Sequence, residues 1–228
     1  MKLLVHKYHK IGFILSLWIF ASCSPAYVPN VVNTPLLSNK KEIQASLYSG
    51  VSGFDLQSAY ALTDHIGIMA NGSFINNRND SLENFRKHNF GELGVGYFSK
   101  IGNNGRFEVF SGYGTGKVQA EFENNLWQSD AYANYSRIFI QPSVGAATDY
   151  FDGAFSPRFV MVKIQQNNEH FTEYFAEPTL TGKVGYKYVK AVLQFGISIP
   201  MTEYPDFNYN PFLLSLGIQA YLNRVFDY

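Results

Sequence analysis

The chain has 228 residues, 18 basic and 18 acidic residues, and a single cysteine. One cysteine excludes a disulfide framework and a cysteine-based zinc or iron–sulfur site, and the balanced charge argues against a nucleic-acid-binding domain, which would carry a basic surface. A hydrophobic content of 46% is too high for a disordered chain.

Residues 1–22 have the pattern of a secretory signal peptide. Lysines in the first ten residues precede an apolar run over 11–20, and two small residues follow it. The run is far shorter than the ~20 residues that a membrane-spanning helix needs. We therefore expect a leader that is removed, with a short membrane anchor or a buried helix as the alternative.

The end of this leader, Phe20-Ala21-Ser22-Cys23, resembles the lipobox of bacterial lipoproteins. The resemblance implies that Cys23 is acylated and becomes the mature N-terminus, so that acyl chains anchor the protein. The only thiol of the chain stands where a lipobox needs it. Residues 23–41 follow as a predicted tether rich in Pro, Asn and Ser, without hydrophobic periodicity.

From residue 42 to residue 228 the apolar residues alternate with a period of two, which predicts β-strands with two different faces. Most of the predicted strands reach the ~9–11 residues that a tilted strand needs to cross a bilayer, whereas strands of soluble proteins average ~5–6 residues. The ten predicted strands cover residues 43–51, 54–63, 66–76, 88–101, 105–122, 132–148, 153–166, 175–187, 189–200 and 211–223.

Short and long connections alternate between these strands, as in outer-membrane barrels with periplasmic turns and outer loops. In hydrocarbon every backbone polar group needs an internal partner, so such a sheet must close. The sequence therefore predicts an all-β fold, an antiparallel up-and-down transmembrane β-barrel of about ten strands. Eight strands are the alternative, because the link at Ser52-Gly53 is short. An even count places both ends on the periplasmic side, which suits a lipid anchor in the inner leaflet.

Five charged residues fall on the less apolar face of the predicted strands, and we expect them to form a polar network in the lumen. They are Glu92, Glu108, Arg137, Lys163 and Lys183. A narrow barrel fills its interior with side chains, so a plugged lumen is predicted instead of an open pore. The alternative is the solvated outer face of a soluble sandwich or lipocalin-like barrel.

Tyr and Phe residues cluster near the predicted strand ends, where outer-membrane barrels carry aromatic girdles. An ordinary aromatic-rich β core is the alternative. The predicted girdle residues are Tyr48, Phe54, Tyr60, Phe74, Phe90, Tyr97, Tyr113, Tyr132, Tyr186, Tyr188, Phe212 and Tyr221.

Residues 55–73, after a lipobox and a Pro/Asn-rich leader, resemble a group of small lipidated outer-membrane β-barrel proteins of Gram-negative bacteria. Members of this group are known mainly as barrel domains of uncharacterised function. The resemblance implies an outer-membrane location and no catalytic residues. The terminal aromatic, Tyr228, resembles the signal that the barrel-insertion machinery reads. Expected partners are that machinery, the lipoprotein-sorting machinery and outer-membrane lipids.

The chemistry-bearing residues form no recognised motif. His65, His88 and His170 lack metal-site spacing and are predicted to be surface residues. We expect no enzyme activity, no metal and no cofactor, and a structural or surface-binding role through the outer loops.

Two alternatives stay open. His170 between Glu169 and Glu173, with Ser156 or Ser136 as nucleophile, motivates a lipid-modifying barrel enzyme. The other alternative is a soluble lipocalin-like periplasmic lipoprotein.

Overall fold

The computed structural model describes residues 25–79, 84–124, 127–166, 169–203 and 205–225. These residues form β-strands and their connections, and ten strands close into an antiparallel barrel. No helix in this part of the chain is long and apolar enough to cross a membrane. The predicted all-β class, the up-and-down barrel and the count of ten strands are confirmed.

From β1 to β9 each strand pairs with the next along the chain, and β11 closes the barrel because it pairs with both β9 and β1. The two-residue β10 follows β9 after Ser198 and pairs with β8 in the same register as β9. The strands are β1 Ile43–Gly50, β2 Gly53–Ala61, β3 Ile66–Asn79, β4 Asn84–Ile101, β5 Gly105–Asn124, β6 Trp127–Ala147, β7 Phe151–Gln166, β8 Glu169–Tyr186, β9 Val189–Ile197, β10 Ile199–Pro200 and β11 Phe212–Leu222.

The barrel has two unlike ends. At one end, called the short-turn end, the connections cover only 62–65, 102–104, 148–150 and 187–188. At the other end, β10 and β11 are joined by residues 201–211, and we call it the long-loop end after this one long connection. The other strand pairs at this end are joined by only two to four residues, but several of their strands extend further than at the short-turn end.

Much of the predicted loop sequence at the long-loop end is paired strand. The β3–β4 ladder continues to Asn79 opposite Asn84, and the β5–β6 ladder continues to Asn124 opposite Trp127. The sequence predicts polar loops over 76–87, 123–131 and 166–174, between the strands predicted from alternation, and these three predictions are wrong because β4, β6 and β8 begin inside them. Backbone pairing in a hairpin does not require an apolar face, so polar sequence there hid the strand extensions.

The polarity of the barrel is inverted relative to a soluble protein, because its outward side chains are apolar and its inward side chains are largely polar. Along β11, Leu214, Leu216 and Ile218 are 51–65% exposed, whereas the alternate residues Ser215 and Gln219 are each 2% exposed. The period-two pattern thus separates an apolar outer face from an interior that holds the buried polar and charged side chains together with a hydrophobic cluster. Three predicted girdle aromatics, Tyr48, Phe90 and Tyr221, point inward and are buried, which corrects their assignment to the outer face.

The N-terminal part of the described chain lies inside the barrel. Every residue from 25 to 38, called here the luminal segment, is buried. The predicted tether 23–41 therefore contributes most of its residues to the interior of the domain predicted for 42–228. Cys23, the signal peptide predicted for 1–22 and the terminal Tyr228 lie outside the described residues.

Candidate functional site

The candidate site is the barrel lumen together with the luminal segment that occupies it. A closed barrel of eight strands has an interior that side chains just fill, and the interior widens with strand number. Ten strands leave room for one additional peptide chain along the axis. The luminal segment takes this space, and side chains from many strands hold it.

A cluster of two arginines and two glutamates holds the middle of the segment. The guanidinium of Arg137 donates to Asn30 Oδ1 at 2.7 Å, and that of Arg158 donates to the same oxygen at 3.0 Å. Arg137 forms an ion pair with Glu92, and Arg158 forms one with Glu177 at 2.6 Å. Two positive and two negative charges balance here, as buried charges require.

Tyr27 joins the segment to this cluster from the long-loop half. Its hydroxyl donates to Glu177 Oε1 at 2.7 Å and accepts from Arg137 at 3.0 Å. Its ring stacks on Phe175, with centroids 5.1 Å apart. One side chain therefore combines a polar contact with apolar packing, which fixes both the depth and the orientation of the segment.

Within the described part of the chain, the luminal segment pairs with no strand along most of its length, and inward glutamine side chains provide hydrogen bonds to its backbone instead. The side chain of Gln194 accepts from the N–H of Val32 at 2.7 Å and donates to the carbonyl of the same residue at 2.9 Å. Gln57 donates to the carbonyl of Val31 at 2.6 Å, and Gln141 donates to the carbonyl of Asn33 at 2.7 Å. Buried backbone groups need such partners, and lumen side chains supply them here.

In the short-turn half, charged side chains bind the segment backbone. Lys183 donates to the carbonyl of Thr34 at 2.6 Å, and the carboxylate of Glu108 accepts from the N–H of Leu37 at 2.7 Å. All four residues are buried. Hydrogen bonds that involve a charged group are stronger than neutral ones, so these contacts hold the segment firmly.

An ionic cluster closes the short-turn end. Asp152 binds Lys190 Nζ at 2.6 Å and accepts from the hydroxyl of Tyr221 at 2.7 Å. Arg224, which follows β11, lies 3.4 Å from both Glu42 and Asp152. Burial alone would lower the pKa of Arg224, but Glu42, Tyr221 and Asp152 raise it above its ordinary value. Through Arg224, this cluster binds the residues that follow β11 to the interior of the barrel.

Four of the five residues expected in the lumen, Glu92, Glu108, Arg137 and Lys183, are buried inside the barrel. The fifth, Lys163, is exposed on the outer face, which corrects the expectation. In this half of β7 the inward residues Val162 and Ile164 are themselves apolar. Alternation of apolar and polar residues therefore does not reveal which face is inside.

The predicted polar network did not contain nine further charged residues that are buried, which are Glu42, Asp55, Arg106, Asp152, Arg158, Glu173, Glu177, Lys190 and Arg224. A signal for one of them was present in β7. Arg158 and Lys163 are five positions apart on one strand, and an odd spacing puts them on opposite faces, so only one of them can face the lumen. Ser156, which contacts the luminal segment, shares its face with Arg158.

His170 and Ser156, two of the residues that motivated an enzyme, do not come together. His170 is exposed, whereas Ser156 is buried and lies 3.1 Å from the hydroxyl of Thr34. Ser156 pairs across the ladder with Thr179, nine residues from His170, a distance of about 30 Å along a strand.

The other two histidines differ from each other. His88 is buried, with its Nε2 2.5 Å from the hydroxyl of Tyr135, so its prediction as a surface residue was wrong. His65 is exposed, as predicted. The described residues contain no cluster of His, Cys, Asp and Glu side chains that could hold a metal ion.

No protein-family model matches this chain, and a search of curated proteins found no significant match. The functional conclusion therefore rests on the fold and the lumen. Membership of the lipidated-barrel group that residues 55–73 resemble stays a prediction.

Proposed function

We propose that this chain is an outer-membrane β-barrel protein, anchored by acylated Cys23, whose own N-terminal segment closes its lumen. Its role is to present the long-loop end of the barrel as a structural or binding surface outside the cell. The observation that supports this proposal most directly is that the closed barrel has an apolar outer face.

The size of that apolar face supports a lipid environment. Leu93 is 69% exposed, Leu216 is 65% exposed and Val184 is 63% exposed, and they lie on different strands around the barrel. Soluble proteins rarely expose a contiguous apolar patch larger than a few hundred Å². A soluble lipocalin-like barrel would reverse this arrangement, with apolar residues inside.

The exposed lysines on the outer faces of β4, β5 and β7 mark one limit of the apolar belt. Lys87, Lys117 and Lys163 all lie in the long-loop half. A charged side chain on the lipid face costs several kcal/mol at the bilayer midplane and little near the interface. The distribution of the lysines fits a barrel whose long-loop half extends beyond the bilayer.

The closed hydrogen-bonded ladder also suits a membrane. In hydrocarbon an unpaired backbone group has no water to bind, so only a closed barrel or a helix can span it. All ten long strands have two neighbours.

The luminal segment supports a closed lumen. Its residues contact side chains of β2, β5, β6, β7, β8 and β9, so it has partners around the barrel wall. A polar, filled interior is typical of small barrels that do not conduct. The protein therefore acts through its outer surface and not as a pore.

Membrane fractionation tests this proposal. In a Gram-negative host, the native leader is replaced by one that an ordinary signal peptidase removes, and Cys23 is changed to alanine. We expect the unacylated protein to remain in the outer membrane after a urea wash and to migrate faster on a gel when it is not heated. Ser24→Ala, with its acylated neighbour intact, is the matched control. Release of the unacylated protein into the soluble periplasmic fraction would show that the barrel does not span the membrane.

Mass spectrometry of the native N-terminal peptide tests the anchor separately. We expect the mass of an acylated cysteine at Cys23. An unmodified Cys23 in the mature protein would contradict the anchor and leave the spanning barrel standing.

A further inference from the structure

The first described residues of the luminal segment lie at the long-loop end. The backbone N–H of Ala26 donates to the carbonyl of Asn208 at 2.8 Å, and the N–H of Asn210 donates to the carbonyl of Tyr27 at 2.9 Å. Tyr27 also forms a parallel bridge with Tyr209. These partners belong to the connection between β10 and β11, which closes the long-loop end.

The last residues of the segment lie at the opposite end. The side chain of Arg106, at the start of β5, donates to Ser38 Oγ at 2.9 Å. The N–H of Lys41 then donates to the carbonyl of Ala61, the last residue of β2, at 2.9 Å. Both partners stand beside short turns, so the chain enters β1 from the short-turn end.

Contacts along single strands give the direction of travel. On β8, Lys183 near the short-turn end binds Thr34, and Glu177 further along binds Tyr27. The same order holds on β6. Gln141, nearer the short-turn end, binds Asn33, and Arg137, further from that end, binds Asn30. The segment therefore crosses the lumen once, from the long-loop end to the short-turn end.

The length of the chain between Cys23 and Pro25 limits how far Cys23 can lie from Pro25. Two residues span at most about 7 Å. Even the shortest wall, the eight residues of β1, extends about 20 Å along the axis of a tilted barrel. Cys23 cannot reach the short-turn end while the luminal segment keeps its contacts.

We propose that the luminal segment carries acylated Cys23 through the barrel, so that its acyl chains lie in the leaflet at the long-loop end. Outer-membrane barrels carry their longer connections and extensions outside the cell. The long connection 201–211 and the extended β5 and β6 lie at the long-loop end, so this is the outer leaflet, at the cell surface. The inference rests on the proposed function. It replaces the expected inner-leaflet anchor with a surface anchor whose tether is the lumen-filling peptide.

The shape of the barrel gives the acyl chains a route to lipid. The wall formed by β1, β2 and β11 ends early at the long-loop end, whereas β5 and β6 extend much further. The outer rim of the low wall carries Phe54, which is 62% exposed, and Leu214, which is 51% exposed. Acyl chains that leave the lumen over this rim meet an apolar surface that continues into the bilayer.

Matched single-cysteine reporters test the topology in the full-length, acylated protein. Asn208→Cys reports on the long-loop end and Asn103→Cys on the short-turn end, since both side chains are exposed. Ser24→Cys reports on the residue next to the anchor. Acylated Cys23 has no free thiol, so a membrane-impermeant maleimide reads only the introduced cysteine. An epitope inserted between Ser24 and Pro25 gives a second readout that does not depend on thiol access through lipid.

On intact cells we expect Ser24→Cys, or the epitope, to be labelled together with Asn208→Cys. Asn103→Cys should be labelled only after the outer membrane is opened. If the anchor reporter instead follows Asn103→Cys while Asn208→Cys is labelled on intact cells, the surface anchor is wrong and the spanning barrel stands. If the protein is found in the soluble periplasm, the proposed function fails and the surface anchor fails with it.

Discussion

The hydroxyl of Thr34 in the luminal segment lies 3.1 Å from the hydroxyl of Ser156 on β7. These two residues are 122 positions apart in the sequence, and both are buried. The contact joins the peptide inside the barrel to the barrel wall at one point. It therefore offers a direct chemical test of whether the segment occupies the lumen.

The double variant Thr34→Cys/Ser156→Cys, in a Cys23→Ala background that removes the native thiol, should form an intramolecular disulfide on mild oxidation. Disulfides need β-carbons about 3.8 Å apart, and hydroxyls in contact fit that requirement. The measurement is a mobility change on a denaturing gel that reductant reverses. Thr34→Cys/Ser111→Cys is the control, because Ser111 is exposed on the outer face. Equal crosslinking of the two pairs would contradict a lumen-bound segment.

Asn30→Ala should destabilise the barrel by about 2–4 kcal/mol, because it leaves two buried guanidinium groups without a shared acceptor. The free energy of unfolding in urea, measured in detergent micelles, checks this. The exposed Asn208 provides the same substitution at a position where we expect a change within about 0.5 kcal/mol. A loss no larger than that of Asn208→Ala would mean that Asn30 does not hold the cluster.

The strands were predictable because alternation is a local property that each stretch of sequence carries. The location of residues 25–38 inside the barrel was not predictable from the sequence, because their burial depends on contacts with residues such as Gln194, more than 150 positions away. A segment with three prolines and no periodicity has the composition of a linker, and nothing within it shows that glutamine side chains will bind its backbone. The same limit explains why Glu177 was missed, because its partners lie on other elements.

Lys183→Met and Lys163→Met form a matched pair that separates the inner face from the outer face. Loss of the Lys183 ammonium leaves the Thr34 carbonyl without its donor, so we expect a loss of about 1–3 kcal/mol. Lys163 is exposed, and its replacement should change the free energy of unfolding by about 0.5 kcal/mol or less. Urea unfolding of the two variants in the same detergent gives the comparison. A larger loss in the free energy of unfolding for Lys163→Met than for Lys183→Met would contradict the placement of Lys163 on the outer face.

Leu216→Arg should destabilise the barrel in lipid vesicles by about 2–4 kcal/mol, because this side chain is 65% exposed in the middle of β11. Gln165→Arg is the control, since Gln165 is exposed near the long-loop end of β7, beyond the apolar belt. The measurement is the free energy of unfolding from vesicles. In a soluble barrel both changes would fall on a solvated surface and would cost equally little, so similar values would argue against a membrane-facing belt.

Replacement of residues 25–38 by a Gly/Ser sequence of equal length should open the barrel to ions. The native segment fills the lumen with side chains that Arg137, Gln194 and Lys183 hold, whereas a Gly/Ser chain lacks the Asn30 and Tyr27 side chains that fix it. Current through planar bilayers measures the difference. We expect no steady conductance from the native protein or from Lys163→Met, and a clear conductance from the replacement. An open channel in the native protein would show that the segment leaves the lumen, and the barrel would then have to be regarded as a pore.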